Sequence, residues 1–296
     1  MKEKFSVFHI EGGIGKNILA TAVVSSLKES DPERNIILVT AWPQVWFNNP
    51  DIYQVYPLGQ IANFYKNFIK DKDTKVFRID PYHSENYILN KKHLIDVWCD
   101  LYGIKNNQSG PKLYFSPLEL EFIKIKMLNN VTKPIFLIHT SGGGGGQNSR
   151  PYSWYRDLPH QNAKEIVDYF KNDYHIYQIG YEGQRLIEGA NKLTLETREI
   201  LAAPLFSRKR LFIDSFSQHA AMALNQVSVV CWIGNKPDVL GYDFHNNVTP
   251  NVGTSFDTYH SSYLEDFDIG GNPIQFPYDK LKLFDSNEII NKLIKL

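Results

Sequence analysis

"RLFIDSFSQHAAMALNQVSVVCWIG", residues 210–234, is the stretch on which the reading of the fold turns. An apolar run ends abruptly at Asp214-Ser215, an Ala-rich segment with helical character follows, and a second apolar run begins near Val227. Strand, turn, helix and strand in that order argue for a parallel sheet with covering helices. A strand that ends in Asp-Ser and passes straight into a helix presents free N–H groups and a positive dipole end to an anion. His219, about one turn into that helix, could reach the same anion. Each residue also has a plain structural use: Asp-Ser supplies an N-cap, and a helical His is often half-buried.

Working outward, the same rhythm continues upstream. "PIFLIHT" (134–140) reads as a strand, "SGGGGGQNSRPYSWYRDLP" as a long glycine loop, and "HQNAKEIVDYFKND" as a helix. "YHIYQIG" is then a strand and "TLETREILAAPLFSR" a helix. The N-terminal part opens the same way, with strand "KFSVFHI", a glycine turn, helix "NILATAVVSSLKES" and strand "IILVTA". An aromatic, Pro- and Asn-rich loop (42–59) follows, and 61–112 is mixed. "SENYILNKKHLIDVWCDLYGI" (84–104) is expected to be a helix ending at Gly103, and "SPLELEFIKIKMLNN" (116–130) a helix capped by Ser116. The basic, aromatic stretch 64–78 is expected to be a solvated helix face. The tail "FDSNEIINKLIKL" is a closing helix. The boundary falls near Asn129–Lys133, which gives domains 1–130 and 131–296.

Lys plus Arg (32) equals Asp plus Glu (32), so no global field favours nucleic acid or an anionic membrane. Cys99 and Cys231 lie in apolar settings, with neither a disulfide framework nor zinc spacing. No signal-peptide pattern opens the sequence, and no apolar run approaches spanning length. A soluble, cytoplasmic protein is expected.

"HIEGGIGKN" (9–17) has the look of a phosphate loop but lacks its parts. Asn17 stands where a hydroxyl would hold magnesium, Glu11 would repel phosphate, and Ile10 breaks the Gly spacing. A glycine-rich strand-to-helix turn is the better description. Two D-x-D triplets, 71–73 and 266–268, are short enough to occur by chance, and no metal site is assigned.

Taken together, 195–242 resembles the glycosyltransferase family 9 proteins, the heptosyltransferase-like enzymes of GT-B fold. It is similar in its helix, its strand ending in Asp-Ser, its His, its Ala-rich helix, its small apolar strand, and its Gly and Pro-Asp loop. "YRDLPHQNAKEIVDYF" resembles the family's Lys-x-Trp-Pro motif with Arg156 and Leu158 substituted. "IYQIGYEGQR" resembles its strand, Gly and acidic turn, which carries Glu182. "GKNILATAVVSSLK" looks like its Gly-Asp turn with Lys16 in place of the Asp, and Phe216 replaces a Gly. The resemblance implies two Rossmann-like domains facing a cleft and no cofactor beyond a nucleoside diphosphate sugar as donor substrate. It further implies donor binding by Arg156, Glu182, Asp214, Ser215 and His219. A sugar would pass to an acceptor hydroxyl without a metal, the leaving diphosphate being met by Arg156 and the helix N-terminus. Lys cannot serve as the family's carboxylate, so Glu11 is the expected base and Lys16 an anion-binding group. Acceptor glycans or other hydroxyl acceptors are the expected partners. A transferase acting on a modified DNA base, a non-catalytic nucleotide-sugar-binding protein and a P-loop-like ATPase are the alternatives.

Overall fold

The computed structural model describes residues 2–142, 156–181, 183–250 and 282–296. The chain separates into two compact units, Met1–Leu120 and Glu121–Leu296.

In the first unit, strand β1 (Lys4–Ile10) leads through a glycine turn into helix α1 (Ile14–Ser30) and on to β2 (Asn35–Thr40). The run "FSVFHI", apolar except for Ser6 and His9 and mostly buried, fits a strand covered on both faces. Strand β3 (Ile52–Pro57), helix α2 (Phe64–Phe68) and strand β4 (Asp73–Phe77) follow. The four strands pair in parallel in the order β3-β2-β1-β4. Strands β3 and β4 correct the sequence reading, which had loop at 42–59 and a helix face over 64–78. Both are edge strands with few buried side chains, so neither carries the apolar signal of β1 or β2.

The single helix expected over 84–104 is two, α3 (Glu85–Ile88) and α4 (Leu94–Leu101). Asn90 in the left-handed region (φ 52°) breaks the run, and Gly103 at φ 63° ends it as expected. Helix α5 (Pro117–Leu128) is capped by Ser116. The Ser116 hydroxyl accepts from Glu119 N–H, and the Glu119 carboxylate accepts from Ser116 N–H. This helix runs across the division between the two units.

The second unit holds β5 (Ile135–Ile138), α6 (His160–Phe170), β6 (His175–Gln178), β7 (Asn191–Lys192), α7 (Thr197–Ala202), β8 (Lys209–Ile213), α8 (Phe216–Ala223), β9 (Val229–Cys231), α9 (Pro237–Leu240) and β10 (Asn246–Val248). The closing helix Ser286–Ile294 completes it. Its six strands are also parallel, in the order β10-β9-β8-β5-β6-β7. Phe136, Ile138, Ile166, Phe170, Leu211, Ile213, Val229 and Leu293 pack one continuous core between sheet and helices.

Strand order places the sites. In the first sheet the chain steps from β1 to β2 to β3 on one side, and β4 then joins the other side of β1. In the second, β6 and β7 extend one side of β5, and β8 to β10 extend the other. Parallel sheets of this kind bind ligands beyond the carboxyl ends of the strands where the order reverses. Those switch points are β1/β4 and β5/β8.

Candidate functional sites at the two strand switch points

Beyond β5 and β8, three polar side chains meet. His139 follows β5, and its Nδ1 lies 2.9 Å from Ser217 Oγ and 3.0 Å from Ser215 Oγ. The two hydroxyls are themselves 2.7 Å apart. Ser215 is the extended residue before α8, and its hydroxyl makes no cap bond to that helix. His139 is buried, and burial pushes its pKa down to about 4, so the ring is neutral here. Asp214 is also buried and receives a hydrogen bond of 2.5 Å from Asn235 Nδ2. Burial raises its pKa, while Arg156 and the Asn235 hydrogen bond oppose the rise. Arg156 packs on Gly142, where an added Cβ would lie 3.6 Å from its Nε. Leu158, in place of the motif Trp, is buried in the core.

Arg156, Asp214 and Ser215 therefore gather at one switch point. His219 pairs with Tyr242. Its Nδ1 is 2.9 Å from the Tyr242 hydroxyl, and its ring packs edge-on against Tyr242 at 5.6 Å. Glu182 and Gly143–Gly146 lie outside the described residues, as does the triplet at 266–268. His139, which the sequence reading passed over, joins the β5/β8 cluster. A His between a strand end and a glycine tract is the only signal it leaves.

At β1/β4 there is a pocket lined by His9, Glu11, Lys16, Arg78, Asp80 and His83, with Trp98 beside them. Lys16 rises from the first turn of α1 but is buried, with 5 % of its side chain exposed. Its Nζ donates to Asp80 Oδ2 at 2.5 Å and lies 5.0 Å from the Tyr82 ring centre and 5.7 Å from that of Trp98. Asp80 Oδ1 accepts from Tyr82 N–H at 3.0 Å. Glu11 is exposed and takes a 3.0 Å hydrogen bond from Arg78, with His9 Nε2 at 3.8 Å. Burial and Arg78 lower the His9 pKa, and Glu11 opposes them. The pocket thus holds Glu11 and Lys16 together with Asp80.

The phosphate-loop alternative has no machinery here. Lys16 already faces a carboxylate, and the Asn17 amide is committed inside the fold. Nδ2 donates to Gly13 O, while Oδ1 accepts from Thr40 Oγ1 and Trp46 Nε1. In the triplet 71–73, Asp73 accepts from Arg34 at 2.8 Å, and that hydrogen bond lowers its pKa. In the basic stretch, Lys72, Lys75 and Arg78 each face a carboxylate. Both cysteines are buried, and burial pushes the Cys99 thiol up to about 11. Among the described residues no helix is long and apolar enough to cross a membrane.

No protein-family model matches the chain, and no curated protein sequence does either. Solved structures do. A glycosyl transferase family 9 protein from Veillonella parvula is similar at a TM-score of 0.66 and 13% identity, over 100% of this chain and 99% of that one. The ADP-heptose LPS heptosyltransferase II of Escherichia coli is similar at 0.62 and 12%, over 84% of this chain and 91% of that one. The iron-containing dodecameric glycosyltransferase TibC of enterotoxigenic E. coli is similar at 0.66 and 12%, over 100% and 77%. At these identities the likeness establishes architecture: two Rossmann-like α/β units of the GT-B kind.

Proposed function

We propose that the protein is a GT-B-type glycosyltransferase that moves a sugar from a nucleoside diphosphate sugar to an acceptor hydroxyl. The observation that carries this reading is the β5/β8 switch point. There Arg156, Ser215 and the N-terminus of α8, which has no side-chain cap, meet beside buried Asp214. An arginine and a helix N-terminus suit a diphosphate, and neither requires a metal. Asp214 fixes the strand-to-helix turn through Asn235, and His139 orients Ser215 and Ser217. His219, on the same helix, is held by the Tyr242 hydroxyl. Glu182 is kept in the donor set on the sequence resemblance of "IYQIGYEGQR" alone.

The β1/β4 pocket takes the acceptor. It offers two carboxylates, Glu11 and Asp80, for the hydroxyl proton, and the exposed Arg78 for negative charge on the acceptor. Charge grows on the leaving diphosphate in the transition state, so groups that meet it there raise kcat. The nucleotide, the sugar and the acceptor follow from experiment. In a thermal-shift screen of nucleoside diphosphate sugars, a donor at about 100 times its Kd adds about 2.7 kcal/mol and raises the melting temperature. Asp214→Ala should weaken that donor in isothermal titration without unfolding the chain. Absence of any shift across the screen would count against the whole reading.

A neighbouring prediction concerns turnover. Arg156→Ala should lower kcat by about 100-fold and donor affinity by much less. A change confined to KM would remove Arg156 from the leaving-group role.

A further inference from the structure

The transferase reading leaves the proton between two carboxylates, and on that reading we infer that Asp80 is the base and Lys16 the residue that positions it. A general base works best when its oxygen is held still and aimed at the site before the reaction begins. Both oxygens of Asp80 are anchored, one by Lys16 Nζ and the other by the Tyr82 backbone N–H. A carboxylate accepts at about four lone-pair sites, so each anchored oxygen retains capacity for a substrate hydroxyl. The side chain is 32 % exposed, open to the pocket without standing in bulk water. Its anchor is equally constrained, because Lys16 is walled in by the rings of Tyr82 and Trp98.

Glu11 differs on each count. Its side chain is 58 % exposed and its strong partner, Arg78, is 68 % exposed. Surface pairs of that sort hold geometry weakly. Glu11 and Arg78 instead form a polar rim that contacts the acceptor as it enters.

The step balances as follows. The acceptor O–H bond breaks and its proton passes to a carboxylate oxygen of Asp80. The acceptor oxygen bonds to the anomeric carbon of the sugar. The bond from that carbon to the phosphate oxygen breaks, and its electron pair leaves with the nucleoside diphosphate. Asp80 then returns the proton to solvent.

The test is nucleoside diphosphate release from a panel of ADP-, GDP- and UDP-sugars offered with sugar acceptors. Asp80→Asn should lower kcat at least 100-fold while nucleotide affinity by titration stays within about threefold. Because that change leaves Lys16 without its partner, the double variant Asp80→Asn/Lys16→Met serves as a folded control and should be equally inactive. Asp80→Ala should regain turnover when formate is added as an external base, a response no structural role would give. Lys16→Met should lower kcat at least tenfold, with Lys16→Arg recovering most of it. Glu11→Gln should act on the acceptor KM. Turnover by Asp80→Asn at the wild-type rate, a kcat collapse in Glu11→Gln, or no formate rescue would overturn the assignment alone. A wild type that binds a donor and never releases nucleoside diphosphate would overturn the transferase reading and this inference together.

Discussion

Asn17 sits where a phosphate loop would carry a hydroxyl. The amide is fully buried and links α1 to β2 through Thr40 and to the aromatic turn through Trp46. Asn17→Thr would shorten the side chain and strand both partners, so it should cost about 2–3 kcal/mol in urea unfolding. It should also bring no magnesium-dependent ATP hydrolysis, because Lys16 remains paired with Asp80. Appearance of that activity would revive the ATPase alternative. At this scale, legibility follows sequence distance. The misfit at Asn17 was visible because it lies within the motif itself. Asp80 (within 61–130, where an Asp was an alternative base) and His139 were not singled out, because their partners lie 64 and 76–78 residues away and only the strand order brings them together.

At the level of elements, the buried parallel strands and the capped helices were legible because each carries its own signal. The run "FSVFHI" has no polar alternation, and Ser116 with Glu119 writes a capping box. Edge strands β3 and β4 carry none, since their side chains are half-exposed and "DTKVF" differs little from a loop. Two glycines show how differently one residue type can matter. Gly103 stops α4 in the left-handed region with open space around it. Gly103→Ala should therefore cost only the backbone strain, about 1 kcal/mol. Gly241 follows α9, and an added Cβ would lie 2.7 Å from the Trp232 ring and 2.8 Å from the Pro237 carbonyl. Trp232 is fully buried and cannot retreat. Gly241→Ala should cost roughly 2–3 kcal/mol by overpacking and loosen the turn that holds Tyr242 against His219. Equal urea midpoints for the two variants would show that the Trp232 contact gives way.

Across the whole molecule, acid is the condition that the second unit tolerates least. His139 and His245 are both buried, and burial pushes each down to about 4. His245 Nε2 bonds the Gln218 carbonyl at 2.9 Å, and His139 Nδ1 meets the two serines, so both rings are held inside the fold, where burial disfavours their charged form. His160 and His175 are lowered by burial as well. In the unfolded chain a histidine titrates near 6.5. Between about pH 6.5 and 4 the unfolded state therefore binds more protons than the folded one, and stability falls as pH falls through that window. The slope approaches about 1.4 kcal/mol per pH unit for each fully buried ring. Asp214 works in the opposite sense. Its raised folded pKa means that the folded state takes up a proton sooner than the unfolded one, which offsets part of the loss at the acid end. Urea unfolding at pH 7.5, 6 and 5 should show a steady drop in stability. The double variant His139→Asn/His245→Asn should start lower but fall less steeply, and Asp214→Asn should fall more steeply near pH 4. Since His139 orients Ser215 and Ser217, donor affinity should decline over the same interval. A double variant with the wild-type slope would place the acid-labile protons on other groups and separate the stability of this unit from the geometry of its site.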